Sequence, residues 1–153
     1  MATNGELMNQ LEHLFPRLAG NNYEITSPPT GHYNCIAWAA GEMQRWWWPG
    51  ENEDMEYWPP GVIREGTQHA FEAAFATLGY KVCESEVFEE GYQKIALFAN
   101  DDGPSHAARQ LSNGRWTSKL GRLEDVEHAL HDLEGLQYGA VVRIMMRNAP
   151  SMS

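Results

Sequence analysis

The hydrophobic period of this chain changes at Gly79, and this change most constrains the fold. Before Gly79, apolar residues recur at helical spacing, notably in residues 6–14 and 67–78. After Gly79, short runs rich in β-branched and aromatic residues are separated by turns, which is typical of strands. Helices followed by consecutive strands are typical of an α+β domain. We therefore predict a single domain over residues 1–153, with N-terminal helices packed on an antiparallel β-sheet.

Three helices are predicted in the first half of the chain. The first covers residues 6–14 and ends before Pro16, which cannot continue a helix. The second covers residues 34–45 and is apolar on most sides, so we expect it to be central. The third begins after Thr67, a predicted N-cap, and ends at Gly79.

Five strands are predicted in the second half, at residues 80–84, 93–99, 106–111, 116–120 and 138–146. The dipeptide Asn113-Gly114 predicts a tight hairpin between the third and the fourth of these strands. Residues 124–133 predict a short helix, and residues 19–25 predict a loop.

The composition argues against several classes of function. Apolar residues make up 42% of the chain and charged residues 21%, which is typical of a globular domain. The net charge of −10 argues against binding to nucleic acid or to an anionic membrane through simple electrostatics. No stretch approaches the roughly 18 apolar residues that a membrane-spanning helix needs.

The N-terminus lacks the basic segment and the apolar stretch of a secretory signal. We therefore expect a cytoplasmic protein, or one exported by a signal-independent secretion system. The two cysteines, Cys35 and Cys83, are not expected to form a disulfide in that compartment. Neither lies in a Cys-x-x-Cys pair, and no metal or organic cofactor is predicted.

Cys35 is the candidate nucleophile. It follows a turn-rich stretch that contains Pro28 and Pro29, and it opens the predicted central helix. The first turn of a helix carries unpaired N–H groups and partial positive charge, which ease the ionisation of a thiol. The same N–H groups can hold a developing oxyanion. Taken alone, a cysteine at the start of an apolar helix is more often a small core residue.

His106 is the candidate base. It follows the Gly103-Pro104 turn and is predicted to open a strand, from which its ring can face the start of the central helix. A thiol nucleophile needs an imidazole within reach and a third group that orients this imidazole. We interpret His128 and His131, in the predicted short helix, as surface groups, and His69 as a structural or exposed residue.

Two segments resemble a known family. Asn34-Cys35-Ile36-Ala37-Trp38 resembles the nucleophile segment of the papain-like superfamily in its compact bacterial form, the NlpC/P60 and CHAP amidases and peptidases. Residues 106–116 resemble the histidine strand and the hairpin of the same proteins. The Tyr-Asn-Cys and Trp-Thr-Ser-Lys-Leu-Gly elements are similar to those of an uncharacterised group of small bacterial proteins. A weaker similarity is to bacterial effectors that deamidate Rho GTPases.

The resemblance implies a papain-like fold but leaves the third catalytic residue open. In the register of the family, the orienting residue falls on Ser118, where a histidine, an asparagine or an acidic residue is expected. Because a hydroxyl is a weak orienter of an imidazolium, we prefer Asp125, which would fix the tautomer of His106 and stabilise its charge. Glu124 and Asn113 are further alternatives.

Four residues are candidates for oxyanion or substrate binding, namely Tyr33, Asn34, Trp38 and Trp116. The backbone N–H of Cys35 is the first expected oxyanion donor. The second is the side chain of Tyr33 or Asn34, or a group near Thr30. Trp116 can equally serve to hold the hairpin.

The predicted function is cleavage of an amide bond by a Cys-His(-Asp) mechanism, as a peptidase, an amidase or a protein deamidase, with a toxin-like effector as one setting. The expected partner is a peptide or protein substrate. An alternative is a non-catalytic binding or immunity-type module on the same fold, with the aromatic loops at residues 46–48 and 57–58 as its contact surface. A metal-dependent hydrolase that uses His32 and Cys35 is a third hypothesis. The residue pattern specifies no oligomeric state.

Overall fold

A computed structural model describes residues 4–27, 30–52, 54–120 and 124–149 of the chain. Pro28 and Pro29, in the turn-rich stretch predicted before Cys35, lie outside these residues. The described ranges contain three α-helices and seven strands: α1 Asn4–Leu14, β1 Glu24–Ser27, α2 Cys35–Ala40, α3 Gln68–Ala76, β2 Lys81–Cys83, β3 Tyr92–Asn100, β4 Gly103–Gln110, β5 Trp116–Lys119, β6 Asp125–His128 and β7 Ala140–Asn148. Two 3-10 helices cover Pro16–Leu18 and Leu130–Leu133. None of these helices is long and apolar enough to cross a membrane.

The seven strands form one antiparallel sheet in the order β1-β6-β5-β4-β3-β7-β2. The predicted α+β class is therefore confirmed, and each of the five predicted strands is present. β4 begins earlier than predicted, because Gly103 already pairs with Asn100 of β3. His106 consequently lies inside its strand and does not open it.

Two segments differ from the prediction. Residues 125–128 form strand β6 instead of the start of a helix, because they pair with both β5 and β1. Val126 and His128 point to the same face of this strand, so a period of two replaces the predicted helical period. Residues 24–27, which cover the end of the predicted loop at 19–25 and the start of the turn-rich stretch after it, form the edge strand β1.

Helix α2 is shorter than predicted. It ends at Ala40, because Gly41 adopts a left-handed conformation with a φ of 86° and its N–H donates to the carbonyls of Ala37 and Trp38. At the other end, Asn34 caps the helix, and its Oδ1 accepts the N–H of Ala37 at 3.1 Å. The helix is therefore a short element fixed at both ends.

Two local signals in the sequence are confirmed. Thr67 caps α3, and its hydroxyl oxygen accepts the N–H of Ala70 at 3.2 Å. The predicted hairpin joins β4 to β5, with the N–H of Leu111 donating to the carbonyl of Arg115 at 2.7 Å. Gly114, in this turn, adopts a φ of 86°, which glycine tolerates without strain.

Each face of the sheet carries its own hydrophobic core, because neighbouring residues of a strand point to opposite faces. Ile95 and Leu97 of β3 pack on what we call the first face, with α2, α3 and the aromatic loops at residues 46–48 and 57–58. Ala96 and Phe98 pack on the second face, with α1 and the two 3-10 helices. The site described below has groups on both faces.

Gly139 precedes β7 and lies against the backbone of β3. Its φ of 75° is left-handed, and a Cβ atom at this position would lie well under 3.0 Å from the carbonyl oxygen of Ala99. We expect Gly139→Ala to lower the free energy of unfolding by roughly 3 kcal/mol or more, because it adds a backbone clash to conformational strain.

Gly20→Ala is the matched control, because Gly20 has a φ of 81° and its Cβ would meet nothing within 4 Å. Its cost is conformational strain alone, roughly 1 kcal/mol. Denaturant unfolding of both variants measures the difference, and equal losses would contradict the clash.

Candidate active site

The thiol of Cys35 lies at the start of α2 and is buried against the first face, with 7% of the residue exposed. The backbone of Ala107, on β4, hydrogen-bonds to the sulfur, as do the backbone groups of Ile36 and of Cys35 itself. Ala107 belongs to the same hydrophobic cluster. The sulfur is therefore held beside the residue that directly follows His106.

Burial decides the protonation state of this thiol. It raises the pKa of Cys35 to about 11, and the backbone hydrogen bonds and the charge of Lys119 lower the pKa by a smaller amount. The sequence-based expectation of an easily ionised thiol is therefore wrong, because desolvation outweighs the N–H groups at the helix start. At neutral pH, Cys35 is an uncharged thiol.

The imidazole of His106 lies on the second face. It stacks on Tyr138, with ring centroids 4.0 Å apart, and meets the ring of Phe98 edge-on at 5.1 Å. Burial, and to a smaller extent the neighbouring His128, lower the pKa of His106 well below its ordinary value of 6.5. The ring is therefore uncharged at neutral pH and is able to accept a proton.

A chain of hydrogen bonds joins His106 to a second buried histidine. The Nε2 of His106 lies 2.9 Å from the Oγ of Ser118, which lies 2.8 Å from the Nε2 of His128. The Nδ1 of His128 lies 2.8 Å from the carbonyl oxygen of Ala129. His106, Ser118 and His128 are each at most 1% exposed, so water does not compete for these hydrogen bonds.

The carbonyl of Ala129 sets the direction of every proton in this chain. A carbonyl oxygen can only accept, so the Nδ1 of His128 carries a proton. Burial lowers the pKa of His128 to about 4, so the ring is uncharged at neutral pH and the Nε2 of His128 carries no proton. Ser118 must then donate its O–H to that Nε2 and accept the N–H of the Nε2 of His106. The Nδ1 of His106 is left without a proton.

This Nδ1 atom is buried and has no hydrogen-bond partner in the described ranges, and the thiol of Cys35 does not donate to it there. The thiol packs on the first face and the ring on the second, and the sulfur contacts the backbone of Ala107, the residue after His106. Buried acceptors without a partner are uncommon in folded proteins, and such an atom requires a functional or structural explanation.

Asp125 does not orient His106, contrary to the preferred prediction. Its side chain points to the first face, where its Oδ2 accepts the hydroxyl of Tyr33 at 2.8 Å and that of Ser27. The sheet therefore lies between the carboxylate and the imidazole. Ser118, the alternative that the family register indicated, is the residue that contacts His106.

The two remaining alternatives do not contact His106 either. Both carboxylate oxygens of Glu124 are buried without a partner among the residues that the structure describes. The Oδ1 of Asn113 accepts the N–H of Arg115 within the hairpin at 2.9 Å. Among the described residues, no carboxylate therefore joins the hydrogen-bonded chain.

Asn34 caps α2 and joins the helix start to the loop at Trp47. Its Oδ1 accepts the N–H groups of Ala37 and Trp47, and its Nδ2 donates to the carbonyl of Trp47 at 2.6 Å. One of the two N–H groups of this Nδ2 is therefore occupied, and the residue is 2% exposed. The backbone N–H groups around the sulfur of Cys35, with that of Ala107 among them, are the other candidate oxyanion donors.

Tyr33 and Trp38 lie on either side of Cys35 along the chain, with their rings stacked at 5.4 Å, and both line a cleft on the first face. The Nε1 of Trp38 donates to the hydroxyl of Thr117 at 3.1 Å. Trp116, by contrast, is 3% exposed and packs in the core of the second face. The structure therefore places Tyr33 and Trp38, but not Trp116, where a substrate could contact them.

The aromatic loops mainly complete the core of the first face. Trp47 and Trp58 are each 4% exposed and belong to its hydrophobic cluster. Trp48 and Tyr57 pack against the same cluster. Trp46 is half-buried and lines a separate cleft with Tyr57 and Trp58.

Sequence reasoning missed two residues of the site. His128, expected at the surface, is fully buried because it belongs to strand β6. The alternation of Val126 and His128 was the signal that could have indicated this. Tyr138 gave no local signal, because its contact with His106 joins segments that only the tertiary fold brings together.

The metal hypothesis finds no cluster to support it in the part of the chain that the structure describes, where no group of three or more His, Cys, Asp or Glu side chains is placed to hold an ion. His32 is exposed, whereas Cys35 is buried. Cys35 and Cys83 are both free thiols.

The fold and the site define a class of protein: a mixed α+β domain with a seven-stranded antiparallel sheet, a buried thiol and a buried His-Ser-His chain. A family described as a domain of unknown function (DUF7689) matches residues 24–146, a span that includes every residue of the site. The chain therefore belongs to this family. No curated protein and no solved structure matches the chain.

Buried His128 makes the fold sensitive to acid. Its pKa is about 4 in the folded protein against an ordinary 6.5, so between these values the unfolded chain binds a proton that the folded protein does not. Its contribution to the free energy of unfolding is complete above pH 6.5 and is lost as the pH falls to about 4. The loss amounts to up to about 3 kcal/mol.

We therefore expect the free energy of unfolding to fall less steeply between pH 6.5 and 4.5 in His128→Gln than in the wild type. His69→Gln, at an exposed position of α3, is the control and should keep the wild-type slope. Urea titrations at several pH values measure the slopes, and parallel curves for the wild type and His128→Gln would contradict a buried neutral imidazole.

Cys35 should react slowly with alkylating agents, because it is 7% exposed and its pKa is about 11. We expect iodoacetamide at pH 7 to modify the partly buried Cys83 about tenfold faster or more, and the rate at Cys35 to rise continuously up to pH 10. Peptide mapping by mass spectrometry measures both rates. Preferential labelling of Cys35 at pH 6 would instead reveal a preformed thiolate–imidazolium pair.

Proposed function

We propose that this protein is a thiol-dependent amide hydrolase with a papain-like arrangement of Cys35 and His106. The observation that carries the proposal is the unprotonated Nδ1 of His106, which has no partner among the described residues and which the Ser118–His128 chain holds next to the strand residue that contacts the sulfur. A thiol nucleophile needs such an acceptor, with the opposite ring nitrogen fixed by a third group.

The pair is neutral at rest, so the proton moves as the sulfur attacks. The S–H proton passes from Cys35 to the Nδ1 of His106 while a bond forms between the sulfur and the carbonyl carbon of the substrate. This step requires the thiol to come within hydrogen-bond reach of Nδ1. Catalytic hydrogen bonds are commonly long in unliganded enzymes and shorten when substrate binds.

The oxyanion of the tetrahedral intermediate accepts hydrogen bonds from backbone N–H groups at the sulfur, those of Cys35 and Ala107. When the intermediate collapses, the C–N bond breaks and the leaving amine takes the proton from Nδ1. Water then attacks the thioester with His106 as base, which releases the carboxylate product and restores the thiol.

Ser118 and His128 orient the ring more than they stabilise its charge. The protonated ring keeps its Nε2–H bond to Ser118, whose O–H still donates to His128. No carboxylate contributes, so burial continues to oppose the imidazolium. The substrate is a peptide or a protein; if its reacting group is a side-chain carboxamide, the same steps release ammonia, as in a deamidase.

The test is turnover of defined amides by the wild-type protein. The substrates are a set of 20 N-acetyl-aminoacyl coumarin amides and a tryptic peptide digest, with fluorescence, coupled ammonia detection and peptide mass spectrometry as readouts. We expect Cys35→Ala and His106→Ala to lose about 100-fold or more of the activity, and Ser118→Ala to lose about tenfold, because the ring is then free to rotate.

Cys83→Ser is the control, because Cys83 lies on β2 and outside the site, and it should keep full activity. A ¹⁵N NMR spectrum of the histidine rings adds a structural readout: Nε2–H for His106 in the wild type, and a mixture of tautomers in Ser118→Ala. Turnover that survives Cys35→Ala would refute the mechanism.

A non-catalytic binding module is the second candidate. The observation that favours it is the resting state of Cys35, which is a buried neutral thiol without a hydrogen bond to His106 in the described ranges. In that case Cys35 is a core residue. A folded wild-type protein that releases no product from any of these substrates, and whose Cys35→Ala variant is only less stable, would favour this candidate.

A further inference from the structure

A cleft of about 410 Å³ opens on the first face of the sheet, and its size falls within the range of small-molecule sites, about 300–1,000 Å³. Its wall combines rings and apolar side chains with a carboxylate and a guanidinium. The lining residues that matter here are Tyr33, Trp38, Met43, Leu111, Arg109 and Asp125. The mechanism above uses none of these side chains.

Asp125 has one satisfied and one unsatisfied oxygen. Its Oδ2 accepts the hydroxyls of Tyr33, at 2.8 Å, and of Ser27. Its Oδ1 is buried and has no partner in the described ranges, and the residue as a whole is 1% exposed. A buried carboxylate oxygen without a donor is costly, so a ligand that brings an N–H to this oxygen gains a strong hydrogen bond.

Arg109 presents the complementary group. Its guanidinium lies over the ring of Trp38, 4.8 Å from the ring centroid, which fixes the side chain against the wall of the cleft. Its Nε is buried and lacks an acceptor among the residues that the structure describes. A ligand that brings a carbonyl oxygen to this side of the cleft satisfies that donor.

The charges of the cleft favour a neutral ligand. Glu127, which also lines the cleft, already accepts the Nε of Arg115 at 3.0 Å. The other charged groups among the described lining residues, Asp125 and Arg109, oppose each other, so neither an ammonium nor a carboxylate gains a net attraction from them. An amide group is neutral and carries both the N–H and the carbonyl that these residues lack.

We propose that this cleft binds an amide-bearing segment with an apolar side chain. Asp125 accepts its N–H, Arg109 donates to its carbonyl, and the wall at Trp38, Met43 and Leu111 packs against its apolar part. Binding of an amide in this cleft does not depend on the protein being a hydrolase. That the bound amide belongs to the substrate of Cys35 rests on the proposed function. Asp125 is then a substrate-binding residue, and not the residue that orients His106.

The probe is N-acetyl-L-leucinamide, and the reporter is the indole N–H of Trp38, which lies in the cleft and donates to Thr117. Titration of the ¹⁵N-labelled wild-type protein should shift this signal in a saturable way. It should leave the indole N–H of Trp58 in place, because that group donates to the carbonyl of Ile63 outside the cleft.

Asp125→Asn tests the carboxylate with almost no change in shape. The amide oxygen of the new side chain can keep the bonds to Ser27 and Tyr33, which puts an NH₂ group in the place of Oδ1. We expect the affinity to fall at least tenfold, because a donor then faces the N–H of the probe. Asp132→Asn is the matched control: Asp132 also has a buried oxygen without a partner in the described ranges, but it lies outside the cleft.

Two charged analogues test the neutrality of the cleft. N-acetyl-L-leucine carries a carboxylate and L-leucinamide carries an ammonium, and both should bind more weakly than the neutral probe. Equal affinity in Asp125→Asn, stronger binding of either analogue, or no shift of the Trp38 signal in the wild type would overturn the proposal. If Asp125→Asn does not fold, Arg109→Met removes the opposite hydrogen bond and makes the same test.

The same titration in Cys35→Ala separates this inference from the proposed function. Binding that persists in this variant, with a wild-type protein that hydrolyses nothing, supports the cleft and refutes the hydrolase. Turnover that is unchanged in Asp125→Asn, without a shift at Trp38, refutes the cleft and supports the hydrolase.

Discussion

The hydroxyl of Ser118 lies between two buried imidazoles, and the candidate site depends on this one side chain. A hydroxyl donates and accepts at the same time, so it can join two neutral histidines without bringing a charge into the core. The carbonyl of Ala129 makes the direction of donation unique. A carboxylate in the same place would raise the pKa of both rings.

Burial sets the reactivity on both sides of β4. The thiol of Cys35 is held in its protonated form and the imidazole of His106 in its unprotonated form, and desolvation is the largest cause in each case. A preformed ion pair would need its charges to be solvated or paired, and the described residues supply neither. Under the proposed function, the two groups become reactive only when a substrate brings them together.

The sheet separates the histidine chain from Cys35 and the cleft. The second face holds the histidine chain, and the first face holds Cys35 together with the cleft at Asp125 and Arg109. Residues 106 and 107 alternate between these faces, so the backbone of β4 is the point where these groups meet. One strand therefore carries the candidate base and, in the next residue, a backbone group that contacts the nucleophile.

What the sequence determined by itself was local. The cap at Thr67, the hairpin at Asn113-Gly114 and the five strands follow from the conformational preferences of a few neighbouring residues, and they were predicted correctly. Ser118 was also indicated as a neighbour of His106, through the register of a resembling family. The cap, the hairpin and the pair of Ser118 and His106 depend on contacts within about a dozen positions, which a linear pattern can carry.

Only the tertiary structure decided the faces and the protonation states. Strand β6 exists because β5 and β1 lie on either side of it, and this pairing buries His128 and turns Asp125 away from His106. The helix start at Cys35 favours a thiolate, but the core that packs over it favours the thiol more strongly. Burial is a sum over distant segments of the chain, and for that reason the local helix-start pattern could not give the direction in which the pKa of Cys35 shifts.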